Sequence, residues 1–539
     1  MHPGPARPAP APVAPLVLTG GRVVSPAVPD ATALVLEAGR VSFVGSDDGA
    51  RSAGSGALEV DLAGRSVTPA FVDAHVHCVQ VGQVADGLDL HDAVSRTDVL
   101  DRVEAHVRAR PGIRVIVGQG WDERGWPEPV PPTRAELDRA APGVAVYLAR
   151  VDVHSALVSS SLLDRLPALD QLPGSTPEGW LTQDAHHACR GAMGQLFTDA
   201  ERRAAVRTAL TGAAAQGVAA VHELGGTHLG PLADLVRVAE EAVTLGVRAV
   251  TYWGALADDE SLAAARSVGA AGLAGDLCID GAIGSHTAAL LAPYADADSR
   301  GVRYLDDDQI AAHLLACTRA GVQAGFHCIG DDAVAAAVQG LRRAAEVLGA
   351  DAVRAARHRL EHVEMVAAQD LATLADLGVV ASVQPGFDAA WGGPGELYEQ
   401  RLGRRAGTMN PFGDLHRAGV ALALGTDAPV TPLAGWATVR AAVQHVRPDQ
   451  RLPLAVAFDA ATRGAHRAAR DDTSGVLAVG RPADLAIWDV PAELVDAASG
   501  LPRLHPDDPL PSCAATLVAG RVVHSAPGAL GKLPPCRRL

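Results

Sequence analysis

The chain has 539 residues, 48% of them hydrophobic and 20% charged, with a formal net charge of −16. That length exceeds one ordinary core and predicts a large domain plus a smaller one, and the composition excludes a disordered chain. The negative charge argues against nucleic acid and anionic membrane surfaces, which attract basic patches. It leaves a small molecule as the expected partner, with self-association open.

Residues 1–15 are rich in proline and alanine and lack an apolar core, so they predict a disordered lead rather than a signal peptide. No apolar run approaches the roughly 20 residues that span a bilayer, and the cytoplasm is the default compartment. Residues 16–25 (LVLTGGRVVS) and 33–45 (ALVLEAGRVSFVG) alternate apolar and small or polar residues around glycine turns, the pattern of short antiparallel strands. The same texture returns at 475–490 and 516–524. The flanking segments 16–69 and 466–525 are each too small to stand alone. They are expected to pair in one small β-sandwich, with 526–539 as a loose tail.

Between them, 70–465 alternates short Val/Ala/Ile/Leu runs with Ala/Arg/Glu-rich helical stretches, which predicts an α/β fold with a parallel sheet. Strands are expected near 70–76, 114–118, 217–223, 276–280, 322–327, 358–362, 378–384 and 420–426, as in a (β/α)8 TIM-like barrel. Residues 144–150 also read as a strand. Residues 119–200, rich in Pro, Gly and Trp, read as a long insertion after the second strand that covers the barrel mouth.

The first barrel strand ends in FVDAHVH (71–77). Residues i and i+2 of a strand share a face, so His75 and His77 can address one cation. His327 ends GVQAGFH, His362 ends RHRLEH and Asp427 follows ALALGT. Each lies at the C-terminal end of an expected strand, where barrel enzymes gather their reactive groups. Five metal-competent side chains from four strands can therefore meet at one divalent cation, with zinc-type coordination as the template. The seven cysteines, Cys78, Cys189, Cys278, Cys317, Cys328, Cys513 and Cys536, are scattered and lack a CxxC pair, so they predict neither a disulfide framework nor a thiolate zinc site.

FVDAHVH, FHCIGDDA (326–333), RLEH (359–362) and GTDAPV (425–430) resemble the metal-dependent amidohydrolase superfamily. They are most similar to its family-3 branch, the YtcJ-like proteins that include N-substituted formamide deformylase. GQGWDERGW (118–126), ARVDVHSALVSS (149–160), DGAIGSHTAALLAPY (280–294) and GRPADLAIWD (480–489) extend the resemblance over about 16–525. It implies His75, His77, His327 and His362 as metal ligands. It implies Asp427 as both a ligand and the base that takes a proton from water during hydrolysis of an amide, formamide or cyclic amide. Many relatives carry a carboxylated lysine on the fourth strand that bridges two metals. Here that position falls at about Asp276, and the only lysine is Lys532. An aspartate is much shorter, so one ion is favoured over two, with Asp276 or Asp280 as the alternative bridge.

Weaker candidates are Asp280, Trp121 and His154 as substrate contacts, and His222-Glu223 as supports behind the ligands. His286 reads equally as a residue of the substrate-facing loop or of the surface, and the pair His186-His187 reads as surface. A ring-amidine deaminase is the nearest rival reaction, but such enzymes usually place a glutamate two residues after the fifth-strand histidine, where this chain has Ile329. A binding protein on a decayed barrel is the non-catalytic rival, and the intact set of five argues against it.

Overall fold

The computed structural model describes residues 15–151, 153, 155–166 and 168–531. His154, Lys532, the expected lead up to residue 14 and most of the expected tail lie outside the described residues. The chain divides into two compact units.

One unit is drawn from the described parts of Met1–Phe71 and Asp472–Leu539, together with Ala214–Ala219. It holds two sheets. The first orders strands Arg40–Gly45, Ala33–Glu37, Leu16–Thr19 and Leu58–Asp61. The second orders Arg22–Val23, Ser66–Pro69, Leu485–Asp489, Ser512–Val518 and Arg521–Ser525. Leu16, Leu18, Leu34 and Leu36 from the first share one core with Val67, Leu485, Ile487 and Leu517 from the second. Neither sheet could bury its apolar face alone, which is why both chain ends are needed for this sandwich.

Eight parallel strands, all but the first residues of two of them in the other unit, form the barrel: β1 (Phe71–Val76), β2 (Val218–Gly226), β3 (Arg248–Gly254), β4 (Gly272–Leu273), β5 (Gln323–Cys328), β6 (Arg359–His362), β7 (Val380–Val383) and β8 (Ala421–Leu424). They run in sequence order, and a parallel bridge between Val76 and Ala428 closes the ring. Asp427 N–H donates to His75 O at 2.8 Å, and His77 N–H donates to Ala428 O at 2.9 Å. This seam needs glycine at 425, where a Cβ would stand 2.6 Å from the His75 nitrogen.

Three sequence expectations change. The expected second strand, 114–118, is not in the barrel. It belongs to Val115–Trp121, which pairs in parallel with Ala145–Arg150 in a separate five-stranded sheet. That sheet is buried on both faces: Ala145, Tyr147 and Ala149 enter one core, Val146 and Leu148 the other. A twice-buried strand reads as a continuous apolar run, so it is indistinguishable in sequence from a barrel strand. The insertion therefore follows β1, not the second barrel strand. The barrel takes β3 from RAVTYWG instead. Finally, the fourth strand stops at Leu273, short of the expected 276–280, because the chain beyond it crosses tightly over its neighbours. A Cβ on Gly275 would lie 2.0 Å from Gly225 O. Cys278 rejoins the barrel only through a single bridge to His327. No helix among the described residues is long and apolar enough to cross a membrane.

Candidate active site

The C-terminal ends of β1, β5, β6 and β8 bring His75, His77, His327, His362 and Asp427 together at the barrel mouth. All five are buried, Asp427 the most open at 9% exposure. Asp427 Oδ1 lies 3.0 Å from His77 Nε2 and 3.4 Å from His75 Nε2. The His75 ring centroid is 5.1 Å from those of His77 and His362, and the His327 and His362 centroids are 4.4 Å apart. Donor atoms of His75, His77 and Asp427 lie within 4.8 Å of one another, as do those of His75, Asp276 and His362.

The imidazoles are oriented from behind. Glu361 Oε2 sits 2.9 Å from His75 Nδ1, and Gln384 Oε1 accepts from His362 Nδ1 at 2.7 Å. Their Nε2 atoms are buried without a hydrogen-bond partner. A buried ring nitrogen left unpaired is costly unless something else occupies its lone pair. Two such atoms beside a carboxylate fit a divalent cation, with Glu361 and Gln384 fixing the tautomers as partners of metal-binding histidines do. His362 and Asp427 adopt left-handed backbone (φ 71° and 53°). That conformation is uncommon for residues with a Cβ and is found where surroundings over-determine it.

Charge balances inside the cluster. Burial raises the pKa of the Asp427 carboxyl, but the charges on His75 and His77 outweigh it and hold the group far below the usual carboxylate range. Burial lowers the His75 pKa, yet Asp427 and Glu361 overcome this and bring it to about 8. His327 is likewise carried past its burial penalty to about 9 by its Asp276 partner. Burial, then the His327 charge, drives His362 down to about 3. The pocket thus gathers carboxylates that hold positive charge in place, the role a cation fills.

Beneath the mouth, Arg359 is fully buried. It pairs with Glu361, donates to Ala74 O at 2.7 Å and Ser382 Oγ at 3.2 Å, and lies 4.7 Å over the Tyr252 ring. His222 contacts the same guanidinium at 3.2 Å, and Glu223 accepts from Cys78 N at 2.7 Å, so both lie behind the cluster, on β2 rather than on a third strand.

Two cavities flank the cluster and share His327, Asp427 and Val430. The larger encloses about 930 Å³ with its mouth and is walled by Val79, Val117, Tyr147, Met193, Arg190 and His187. The smaller, about 380 Å³, is walled by Ile283, Phe387, Trp391, Leu397, Tyr398 and Glu364. Burial pushes Glu364 up to about 7, against a 2.7 Å hydrogen bond from Tyr398.

Two expected substrate contacts lie elsewhere. Trp121 is 1% exposed in the core of the inserted sheet, its indole donating to Leu148 O, and it walls neither cavity. Asp280 is fully buried and accepts backbone N–H groups from Ala289, Ile329 and Gly330, which pins the loop after β5 rather than facing the cleft. The expected surface pair also changes: His186 is buried against Tyr147 OH at 2.9 Å, and His187 walls the larger cavity. His286 pairs with Asp296 away from the cluster. Sequence reasoning missed Arg190, His228, Glu364 and the place of Cys278. These lie on a helix and in loops, where periodicity assigns no face.

The amidohydrolase family matches residues 58–524. The chain belongs to the amidohydrolase family. It is 25% identical to the putative amidohydrolase YtcJ of Bacillus subtilis (strain 168), over 86% of this chain and 90% of that one. A shorter stretch, 28% of each chain, is 31% identical to N-substituted formamide deformylase of Arthrobacter pascens. A metal-dependent hydrolase from Pyrococcus horikoshii OT3 superposes with a TM-score of 0.72 at 25% identity, covering 90% of this chain and all of that one. The eight-stranded parallel barrel is thus an amidohydrolase barrel, and the family's chemistry is hydrolysis assisted by a divalent metal.

Proposed function

We propose that this amidohydrolase cleaves a non-peptide C–N bond in an amide, formamide or cyclic amide, with His75, His77, His327, His362 and Asp427 holding a divalent cation of the zinc type. The observation that carries this reading is the pair of buried Nε2 atoms of His75 and His362 that make no hydrogen bond, with the Asp427 carboxylate 3.4 Å from the first and Asp276 grouped with both. Nitrogen and carboxylate donors suit zinc among the available cations. Bound there, the cation supplies Lewis acidity, which acidifies water and polarises a carbonyl.

The remaining work falls to the chain. Asp427, ionised at neutral pH, accepts a proton on a carboxylate oxygen from the attacking water. It passes that proton to the departing nitrogen, so that an amine and a carboxylic acid result. Cavities on both sides of Asp427 support a substrate with bulk on each side of the scissile bond, its more apolar end among Phe387, Trp391 and Leu397. The local likeness to a formamide deformylase supports formamides as the second arm of the search. The test is a hydrolysis screen of N-substituted formamides, larger acyl amides and cyclic ureas, with and without chelator. Chelator-sensitive release of amine supports the reading. Activity indifferent both to chelation and to Asp427→Asn overturns it.

A further inference from the structure

Not every metal-competent donor at the mouth is absorbed by the cluster above. His228, in the loop after β2, and Cys278, in the crossing segment after β4, face Asp276 on the wall of the larger cavity. Donor atoms of His228, Asp276 and Cys278 lie within 4.8 Å of one another. His228 Nε2 is 3.1 Å from Asp276 Oδ2 and 3.9 Å from Cys278 Sγ. The thiol is free of any disulfide. Asp276 faces two ways: its Oδ1 lies 3.3 Å from His327 Nδ1, and it falls within the same 4.8 Å of His75 and His362.

We propose that His228, Asp276 and Cys278 form a second divalent-cation site, with soft, thiolate character, linked through Asp276 to the first. This rests on the first site being a metal site, as read above. One imidazole, one carboxylate and one thiolate are three zinc-competent ligands, and the open side toward the cavity leaves room for a fourth from solvent. Binding forms an S–metal bond as the thiol gives its proton to solvent, since a coordinating thiol is deprotonated. Arg190 walls the same cavity and its charge opposes a second cation. The Asp276 and Asp427 carboxylates and the thiolate outweigh it. The shared aspartate makes the two sites neighbours, so the softer site sits beside the substrate rather than on the protein surface.

The simpler arrangement is a hydrogen-bonded His228–Asp276–His327 chain with a bystander thiol. Metal content of the full-length protein, loaded with Zn2+ and desalted, separates the two. The proposal expects two zinc per chain, falling to one in Cys278→Ser and in His228→Ala. Cobalt-loaded protein should show a near-ultraviolet sulfur-to-cobalt charge-transfer band. That band should vanish in Cys278→Ser, a near-isosteric change whose folding is checked by Tm, and survive in His77→Asn. One zinc per chain that is lost in His77→Asn and unaffected by Cys278→Ser overturns the second site while leaving the first intact. No zinc in the unaltered protein overturns the reading of both.

Discussion

At the scale of single residues, the proposed reading gives Asp427 two separable duties. Asp427→Asn keeps the size and one oxygen donor but cannot accept the proton. Its kcat should fall by about 10²–10⁴-fold, the usual span for a lost proton-transfer group. Zinc content, measured in parallel, should fall much less. Arg359 and Glu361 are a buried pair under the histidine cluster, so removing one partner strands the other's charge. Arg359→Met should destabilise the fold by about 3–5 kcal/mol, read by denaturant unfolding, whereas an exposed control such as Arg108→Met should change little. Arg190 walls the larger cavity and, among the described residues, makes no ion pair or hydrogen bond to another side chain. Arg190→Gln should therefore raise KM for substrates carrying a carboxylate and leave KM for their methyl esters unchanged. An equal effect on both would assign Arg190 to packing. The metal-competent residues could be singled out in the sequence because each lies at or just past the C-terminal end of an expected barrel strand, where barrel enzymes gather their reactive groups. Trp121 was misplaced because a large apolar ring announces burial but not which core buries it. Asp280 was misplaced because three backbone donors claim its carboxylate, and backbone donors leave no trace in sequence.

At the scale of elements, the seam between β1 and β8 is the most constrained part of the barrel. Gly425→Ala would drive a methyl into the His75 backbone. The seam should open, with lower zinc affinity in equilibrium dialysis and a lower Tm, and the loss of affinity should exceed that of a distant surface alanine. The barrel class was legible from the alternation of strand and helix. Six of the eight expected strands fall on β1, β2, β5, β6, β7 and β8, but 114–118 was misassigned, because the insertion carries its own sheet of apolar runs that match barrel strands in length and composition. β3, flanked by ordinary helical sequence, was overlooked in their favour. The two-residue β4 could not have been delimited, since its end is set by the close approach of Gly275 to Gly225, a contact between residues distant in sequence.

At the scale of the whole molecule, a ligand that binds only the folded chain stabilises it by mass action, about 2.7 kcal/mol at a hundredfold excess over Kd. Chelation should lower the Tm, and added Zn2+ should restore it in a concentration-dependent way. A Tm unmoved by metal would argue that the cluster is held together by its own ion pairs. The five central residues span 75 to 427, and the seam that unites them forms only when the last strand meets the first. A ribosome therefore releases His75 and His77 long before their carboxylate partner exists. Until β8 emerges, the nascent barrel offers an ion four imidazoles, but neither Asp427 nor a closed ring. Metal uptake should thus report completed synthesis, and a chain stopped before residue 420 should leave the ribosome unable to retain zinc tightly, however well its early strands have formed.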